Sequence, residues 1–404
     1  MSVTRVRVQA IALGCASMLL AGCNIGSSSP QGAGADPPKG SGSHTSPGPV
    51  TPVGSVISNV ARGATGVPVD HRVQVTADHA TLSSVTVSSR SGSVPGRMSA
   101  DKQSWTAGAL LEPGTSYTVT TSATSDEGDP VNRVTRFRTA ALTLDQQTYP
   151  SIAPLNGETV GVGMPVIVTF DVPVTDRAAI EKHLHVTPTP AQKGSWHWIS
   201  DTEVHWRPVK FWKAGTQVTV NADINSVPAG NGIYGQLDRQ IQFNVGAAHI
   251  YKVDAKTDQL HVFSNGRLLR TIPVTTGKPG FVTRSGIKVI IEKDRHKRMN
   301  SETIGIDPNG PNGYNIGDVQ FAMRVTYTGE FLHAAPWSVA YQGVSNVSHG
   351  CTGMSTSNAG WLYHMSRRGD VVETTGTDRQ MTLTNGYGDW NESFAAYAQG
   401  SALH

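Results

Sequence analysis

Between about Val53 and Val245 the chain is written in short runs of alternating apolar and polar residues. Val73-Gln-Val-Thr, Val85-Thr-Val and Tyr117-Thr-Val-Thr have period two, which sends alternate side chains to a core and to water. Pro113-Gly114 is a turn dipeptide. The pattern then returns at an offset of about 100 residues, as from Trp105 to Trp206. Val166-Ile-Val-Thr-Phe170 answers the Val73 run, Gly215-Thr216 answers Gly114-Thr115, and Phe243 answers Phe137. This spacing predicts a mainly β chain that opens with two tandem immunoglobulin-like β-sandwiches, over 51–140 and 147–246. Trp196, Trp198, Trp206 and Trp212 are read as core and interface residues of the second block, not as a glycan platform. One helix is expected there, capped by Asp176, with Ala179, Ile180 and Leu184 on one face.

From about His249 the texture changes. Ile250-Tyr-Lys-Val253 and Leu260-His-Val-Phe263 read as strands, Asn265-Gly266 as a hairpin turn, and Leu268 to Thr275 as the returning strand. A helix is expected with Ser357 as its cap, Trp361, Leu362 and Met365 as its apolar stripe and Gly369 at its end. Residues 248–375 thus form a third, β-rich domain. A tail over 376–404 carries Trp390, Phe394 and Tyr397, which are expected to pack back onto it.

The 43 Gly and 23 Pro of the 404 residues suit turn-rich β structure, and only 16% of residues are charged. A formal net charge of +3 is too mild for a nucleic-acid binder. Hydrophobic content of 38% leaves no room for a polytopic membrane protein.

Arg5 and Arg7 precede an apolar stretch from about Val8 to Ala21, shorter than the ~20 residues a spanning helix needs. An export signal is the better reading. It closes on Leu20-Ala21-Gly22-Cys23, which resembles the lipobox of bacterial lipoproteins. That resemblance implies cleavage after residue 22 and lipid on Cys23, holding the chain at the outer face of the cytoplasmic membrane. Residues 24 to 50 contain six Ser, six Gly and five Pro and no apolar period, as a disordered tether does. Its r.m.s. reach is roughly 30 Å.

The chain has three cysteines. Cleavage discards Cys15, lipid blocks Cys23, and Cys351 remains as the sole free thiol of an exported protein, where it must be buried or used. It sits in Ser348-His349-Gly350-Cys351, downstream of His333. A cysteine nucleophile needs a base for its proton and donors aimed at the oxyanion it creates. A zinc site from His333, His349 and Cys351 and a merely structural thiol are the competing readings.

This segment resembles the catalytic signature of the L,D-transpeptidases, the YkuD family: a histidine, then 14 residues, then Ser-His-Gly-Cys. Thr276-Gly277 with Thr283-Arg284-Ser285-Gly286 looks like the family's TG…TPxG stretch. The two sandwiches, Gly157 to Pro165 and Gly388-Asp389-Trp390-Asn391 resemble the multidomain actinobacterial members. By position, the resemblance implies Cys351 as nucleophile, His333 as general base and acid, and Ala334 as the backbone carbonyl orienting the imidazole. It implies Gly350 and Cys351 as backbone donors of the oxyanion hole, Tyr314 as the lid tyrosine, and Ser348, His349 and Trp337 as substrate-binding residues. The expected reaction joins peptidoglycan stem peptides, a donor tetrapeptide and an acceptor, into 3→3 cross-links. No metal or organic cofactor is implied, and carbapenems are expected as covalent inhibitors.

This chain departs from the pattern in three places. Thr352-Gly353 replaces an apolar residue and Asn, Arg284 replaces proline, and Lys293, Arg295, His296, Lys297 and Arg298 form an unusual basic run near the lid. That run is either a solvated loop or a surface for anionic wall polymers. Stem-peptide hydrolysis, attachment of a protein to the stem, and a silent wall-binding scaffold remain open beside cross-linking.

Overall fold

The computed structural model describes residues 53–403. The expected signal peptide, Cys23 and the whole of the expected tether lie outside them. Two four-stranded sheets face each other in the first sandwich. One runs Ser55–Ser58, Gln74–Asp78, Ser104–Ala107, Gly96–Met98; the other runs Gly92–Val94, Ala80–Ser89, Ser116–Ser125, Pro130–Arg138. Along Ser116–Ser125 every second residue, Tyr117 to Ser125, is buried, so period two in sequence becomes one wet and one dry face. Val75, Leu82, Trp105, Tyr117 and Phe137 fill the interior. Tyr117 and Phe137 are cross-strand partners with ring centroids 5.4 Å apart.

The second sandwich repeats the plan with Pro150–Ala153, Val166–Phe170, Glu203–Pro208, Gly194–Ser200 against Thr159–Val160, Arg239–Val245, Gln217–Ala222, Leu184–Thr189. Trp196, Trp198, Trp206 and Trp212 are all in its core. Asp176 caps its helix by accepting from Ala179 N at 3.0 Å. The helix is shorter than the sequence reading, Arg177–Glu181, because Leu184 already belongs to a strand. The two sandwiches meet where Ser226 Oγ donates to Leu111 O at 2.7 Å and Asn225 Nδ2 to Glu112 Oε1 at 2.6 Å.

Beyond residue 247, a five-stranded sheet runs Arg267–Pro273, Gln259–Ser264, His249–Asp254, Val371–Thr375, Gly286–Val289. A four-stranded sheet runs Glu292–Asn300, Asn315–Arg324, Phe331–Ala334, Thr352–Met354. Tyr251, Val262, Met323, Leu332, Met354, Leu362 and Val372 build one shared core. Its helix, Thr356–Met365, is capped by Ser355, not Ser357, since Ser355 Oγ accepts from Asn358 N at 3.3 Å. Its C-cap is Ser366, not Gly369.

The C-terminal tail packs on the third domain, where Met381 N donates to Ser285 O and Asn391 Nδ2 to Ile287 O, each at 2.7 Å, and also on the second sandwich, which the sequence did not suggest. Its aromatics close over the second sandwich. Trp390 Nε1 donates to Gly163 O at 2.8 Å and packs edge-on to Phe211. The Arg207 guanidinium lies over Trp390, Phe394 and Tyr397 at 4.8, 5.4 and 4.4 Å. His197 Nδ1 donates to Tyr397 O at 2.7 Å, and Ala402 N to the buried Glu181 Oε2 at 2.8 Å. Val289 and Val371 of the five-stranded sheet belong to the same core as Trp206 and Trp212. Gly161 N and Gly163 N donate across to Arg368 O and Gly369 O, each at 2.8 Å.

Among the described residues no helix is long and apolar enough to cross a membrane.

Candidate active site

The Phe331–Ala334 and Thr352–Met354 strands are parallel neighbours, with His333 opposite Gly353. Parallel strands cannot be joined by a tight turn; the chain must cross over, and a crossover takes a dozen or more residues. That requirement is the physical content of the 14-residue gap between His333 and Ser348. The crossover is built from the short 3-10 segment Pro336–Tyr341 and the loop after it. Cys351 lies two residues before Gly353, so strand alternation puts its side chain on the face that carries His333.

Both residues line one cavity of about 320 Å³, with Tyr314, Trp337, Ser348 and His349 also in its wall. Thr275, Met299, Ile316, Ala335, Ser338, Val347 and Gly353 complete it, and of these only Gly353 was noted from sequence, as a departure from the signature. Its lining is chiefly apolar in character, with a few convergent polar groups, as suits a small-ligand site. Trp337 stacks near His333, ring centroids 5.9 Å apart. His349 sits between Phe281 and Tyr314, at 4.7 and 5.1 Å.

Ala334 does not line the cavity by its side chain; its carbonyl accepts from His333 Nδ1 at 2.7 Å. A carbonyl only accepts, so Nδ1 carries the proton and Nε2 keeps its lone pair. Burial lowers the His333 pKa below 6.5, against that hydrogen bond, and holds the ring neutral. Burial also pushes the Cys351 thiol up to about 12, although the Phe331 backbone N–H acts the other way. The thiol points at Gly329 O, 3.6 Å away. The resting pair is therefore neutral thiol and neutral imidazole, and the thiolate forms only as a base removes its proton. Burial first, and the Cys351 charge second, push the Tyr314 hydroxyl up to about 12, so it remains a donor.

The backbone of the loop is held by side chains. Ser348 Oγ donates to Cys351 O at 2.7 Å and accepts from Gly350 N at 3.1 Å. The Gly350 N–H is thus engaged within the loop. The Cys351 N–H meets no acceptor among the described residues.

The departures from the signature now have surroundings. A Cβ at Gly353 would lie 2.9 Å from Ala335 Cβ and 3.2 Å from Thr275 Cγ2, so this backbone leaves no room for Asn. Arg284 pairs with Glu330 at 2.8 Å. The basic run is not a loop: it lies on the Glu292–Asn300 strand, hairpinned to Asn315–Arg324. Much of its charge is locally answered. Lys297 pairs with Asp294 at 2.6 Å and Glu292 at 3.2 Å, His296 meets Asp318 at 2.9 Å, and Lys293 donates to Ser366 O.

Comparison with known proteins matches both parts of the chain. A sequence model of the bacterial Ig domain matches residues 64–228, and one of the L,D-transpeptidase catalytic domain matches residues 248–374. L,D-transpeptidase 2 of Mycobacterium tuberculosis is 38% identical over 352 residues, 87% of this chain and 85% of that protein. L,D-transpeptidase 5 of the same organism is 34% identical over 318 residues, 77% of this chain and 68% of that one. The solved structure of the LD transpeptidase LdtMt1 in complex with imipenem is 36% identical, covers 57% of this chain and 99% of its own, and superposes with a TM-score of 0.50. With its own relatives aligned over most of their length and its catalytic sheets in the matching span, the chain belongs to the L,D-transpeptidase family.

Proposed function

We propose that this L,D-transpeptidase joins peptidoglycan stem peptides into 3→3 cross-links, with Cys351 as nucleophile and His333 as base. The observation that carries this reading is the parallel register of His333 with Gly353, which brings imidazole and thiol to one cavity. His333 Nε2 takes the thiol proton as Sγ attacks the carbonyl carbon of the third stem residue. The oxyanion is met by the Cys351 N–H. The C–N bond to the terminal D-residue breaks, the imidazolium returns the proton to the leaving amine, and a thioester remains. The side-chain amine of a second stem then attacks. Its proton passes to His333, the C–S bond breaks, and the thiol is restored. Tyr314 and Trp337 flank the substrate, and Ser348 keeps the nucleophile loop in shape.

Upstream, residues 1–22 act as a lipoprotein signal and Cys23 carries the lipid. The segment to residue 50 tethers the folded part at the outer face of the cytoplasmic membrane. A Cys23→Ala chain that still fractionates with membranes would overturn the anchor.

The test of the chemistry is intact mass after incubation with a carbapenem. Wild type gains one adduct and Cys351→Ala gains none. Absence of an adduct on wild type, together with no change in tetrapeptide stems, would sink the enzyme reading. Product analysis with the same stems separates cross-linking from hydrolysis.

A further inference from the structure

Behind the Gly350–Cys351 loop lie two buried charges, Glu330 and Lys288, and a partly buried third, Arg284, that the chemistry above does not use. Glu330 Oε1 accepts from Arg284 Nη1 at 2.8 Å and from Arg284 N at 3.1 Å. Its other oxygen is 2.7 Å from Lys288 Nζ, whose side chain is almost fully buried. Charges withdrawn from water are costly unless paired, and the pairing fixes the backbone that carries them.

What they hold is the turn that carries Thr283. The Thr283 hydroxyl donates to Gly350 O at 2.9 Å and accepts from Gly277 N at 2.8 Å, both inside the protein. The Gly350–Cys351 peptide is planar and trans, so its C=O and N–H point in opposite directions. Fixing the carbonyl therefore fixes the N–H. With the Gly350 carbonyl tied back to Thr283, the Cys351 N–H faces away from the brace, and among the described residues it meets no acceptor, as the His349 N–H also does not. Gly350 adopts φ +120°, open to glycine but rarely held by L side chains, so no side chain of its own fixes this orientation.

We propose that Thr283 is a positioning residue for acyl transfer, aiming the Cys351 N–H through the Gly350 carbonyl, and that the Arg284–Glu330–Lys288 triad keeps Thr283 in place. The cation at 284, a departure from the family's proline, is then one arm of the brace. This inference rests on the Cys351 reading and deepens it.

Two reactions of the same sulfur separate the roles. Acylation by imipenem builds an oxyanion; alkylation by iodoacetamide does not. Loss of an oxyanion donor costs roughly 10²–10³-fold in rate, and a misaimed donor should cost at least about tenfold. In the full chain, Thr283→Val is expected to slow imipenem acylation at least about tenfold while alkylation of Cys351 stays within about twofold. Thr283→Ser, which keeps the hydroxyl, is expected to restore acylation. Glu330→Gln should show the same split, and Thr283→Val added to it should cost little more, because the two act in series. Equal slowing of both reactions, or acylation by Thr283→Val at the wild-type rate, overturns the proposal. Full additivity of the pair overturns the part assigned to the triad. If wild type itself forms no adduct, the reading of Cys351 falls and this one with it.

Discussion

The His205 imidazole meets Asp389 at 2.9 Å across 184 residues of chain, with both side chains almost wholly buried. Its other nitrogen is 3.0 Å from Glu203, and the Tyr397 hydroxyl donates to the same Asp389 oxygen at 3.0 Å. This cluster fastens the C-terminal segment to the second sandwich. Removing one partner of a buried ion pair leaves the other uncompensated, at about 3–5 kcal/mol. Asp389→Ala should lower unfolding stability by about 3 kcal/mol in urea titration. A change under about 0.5 kcal/mol would mean the segment is held by its aromatics alone.

The same pair makes stability depend on pH. Burial alone would depress the His205 pKa, but the Asp389 charge and the bonds to Asp389 and Glu203 outweigh it and raise it to about 9. A raised pKa contributes stability that is full below the unfolded value of 6.5 and is lost as pH climbs through 9. Wild type should therefore lose more stability than His205→Gln between pH 6.5 and 9.5. Parallel curves for the two proteins would contradict the assignment.

Catalysis should show the opposite sensitivity. His333 must be neutral to accept the thiol proton, and burial holds its pKa below 6.5. The rate of carbapenem acylation should stay level down to pH 6.5 and fall only below it. A midpoint above 6.5 would point to another base. His333→Gln should lower the rate by about 10²–10⁴-fold while leaving the thiol count unchanged.

Restoring the family's usual residue should not help. Gly353→Asn places a Cβ within 3.2 Å of both Ala335 and Thr275 side chains. Overpacking of this kind costs about 1–3 kcal/mol. We expect a lower melting temperature and slower acylation together, read by calorimetry and intact mass. Faster acylation with unchanged melting would show that the loop adapts.

The architecture and the signature were legible because each rests on a local rule. Strand alternation marks Tyr117, a continuous apolar run marks Val166, and a parallel crossover imposes the spacing between His333 and Ser348. Partners across the fold were not legible. Trp390 and Tyr397 announce burial but not against what, and only the structure shows Arg207 and His205 waiting for them. The cap at Ser355 was hidden among Ser355-Thr356-Ser357, where only hydrogen-bond geometry chooses. The charged Glu292–Asn300 strand reads as a solvated loop because its pairs, such as Lys297 with Asp294, leave no apolar period. Arg284 looked like a flaw in a motif because its carboxylate, Glu330, stands 46 residues away.

Because Val289 and Val371 lie in one core with Trp206 and Trp212, the second sandwich is not a removable spacer. A pull on the chain from its N-terminal side would load that core and the Leu111–Ser226 junction in series. The junction, held by a few bonds and the packing of Leu110, would part first. Under mechanical strain the second sandwich and the catalytic domain should move as one body, hinged on the first sandwich, with the cleft of Cys351 insulated from the stretch.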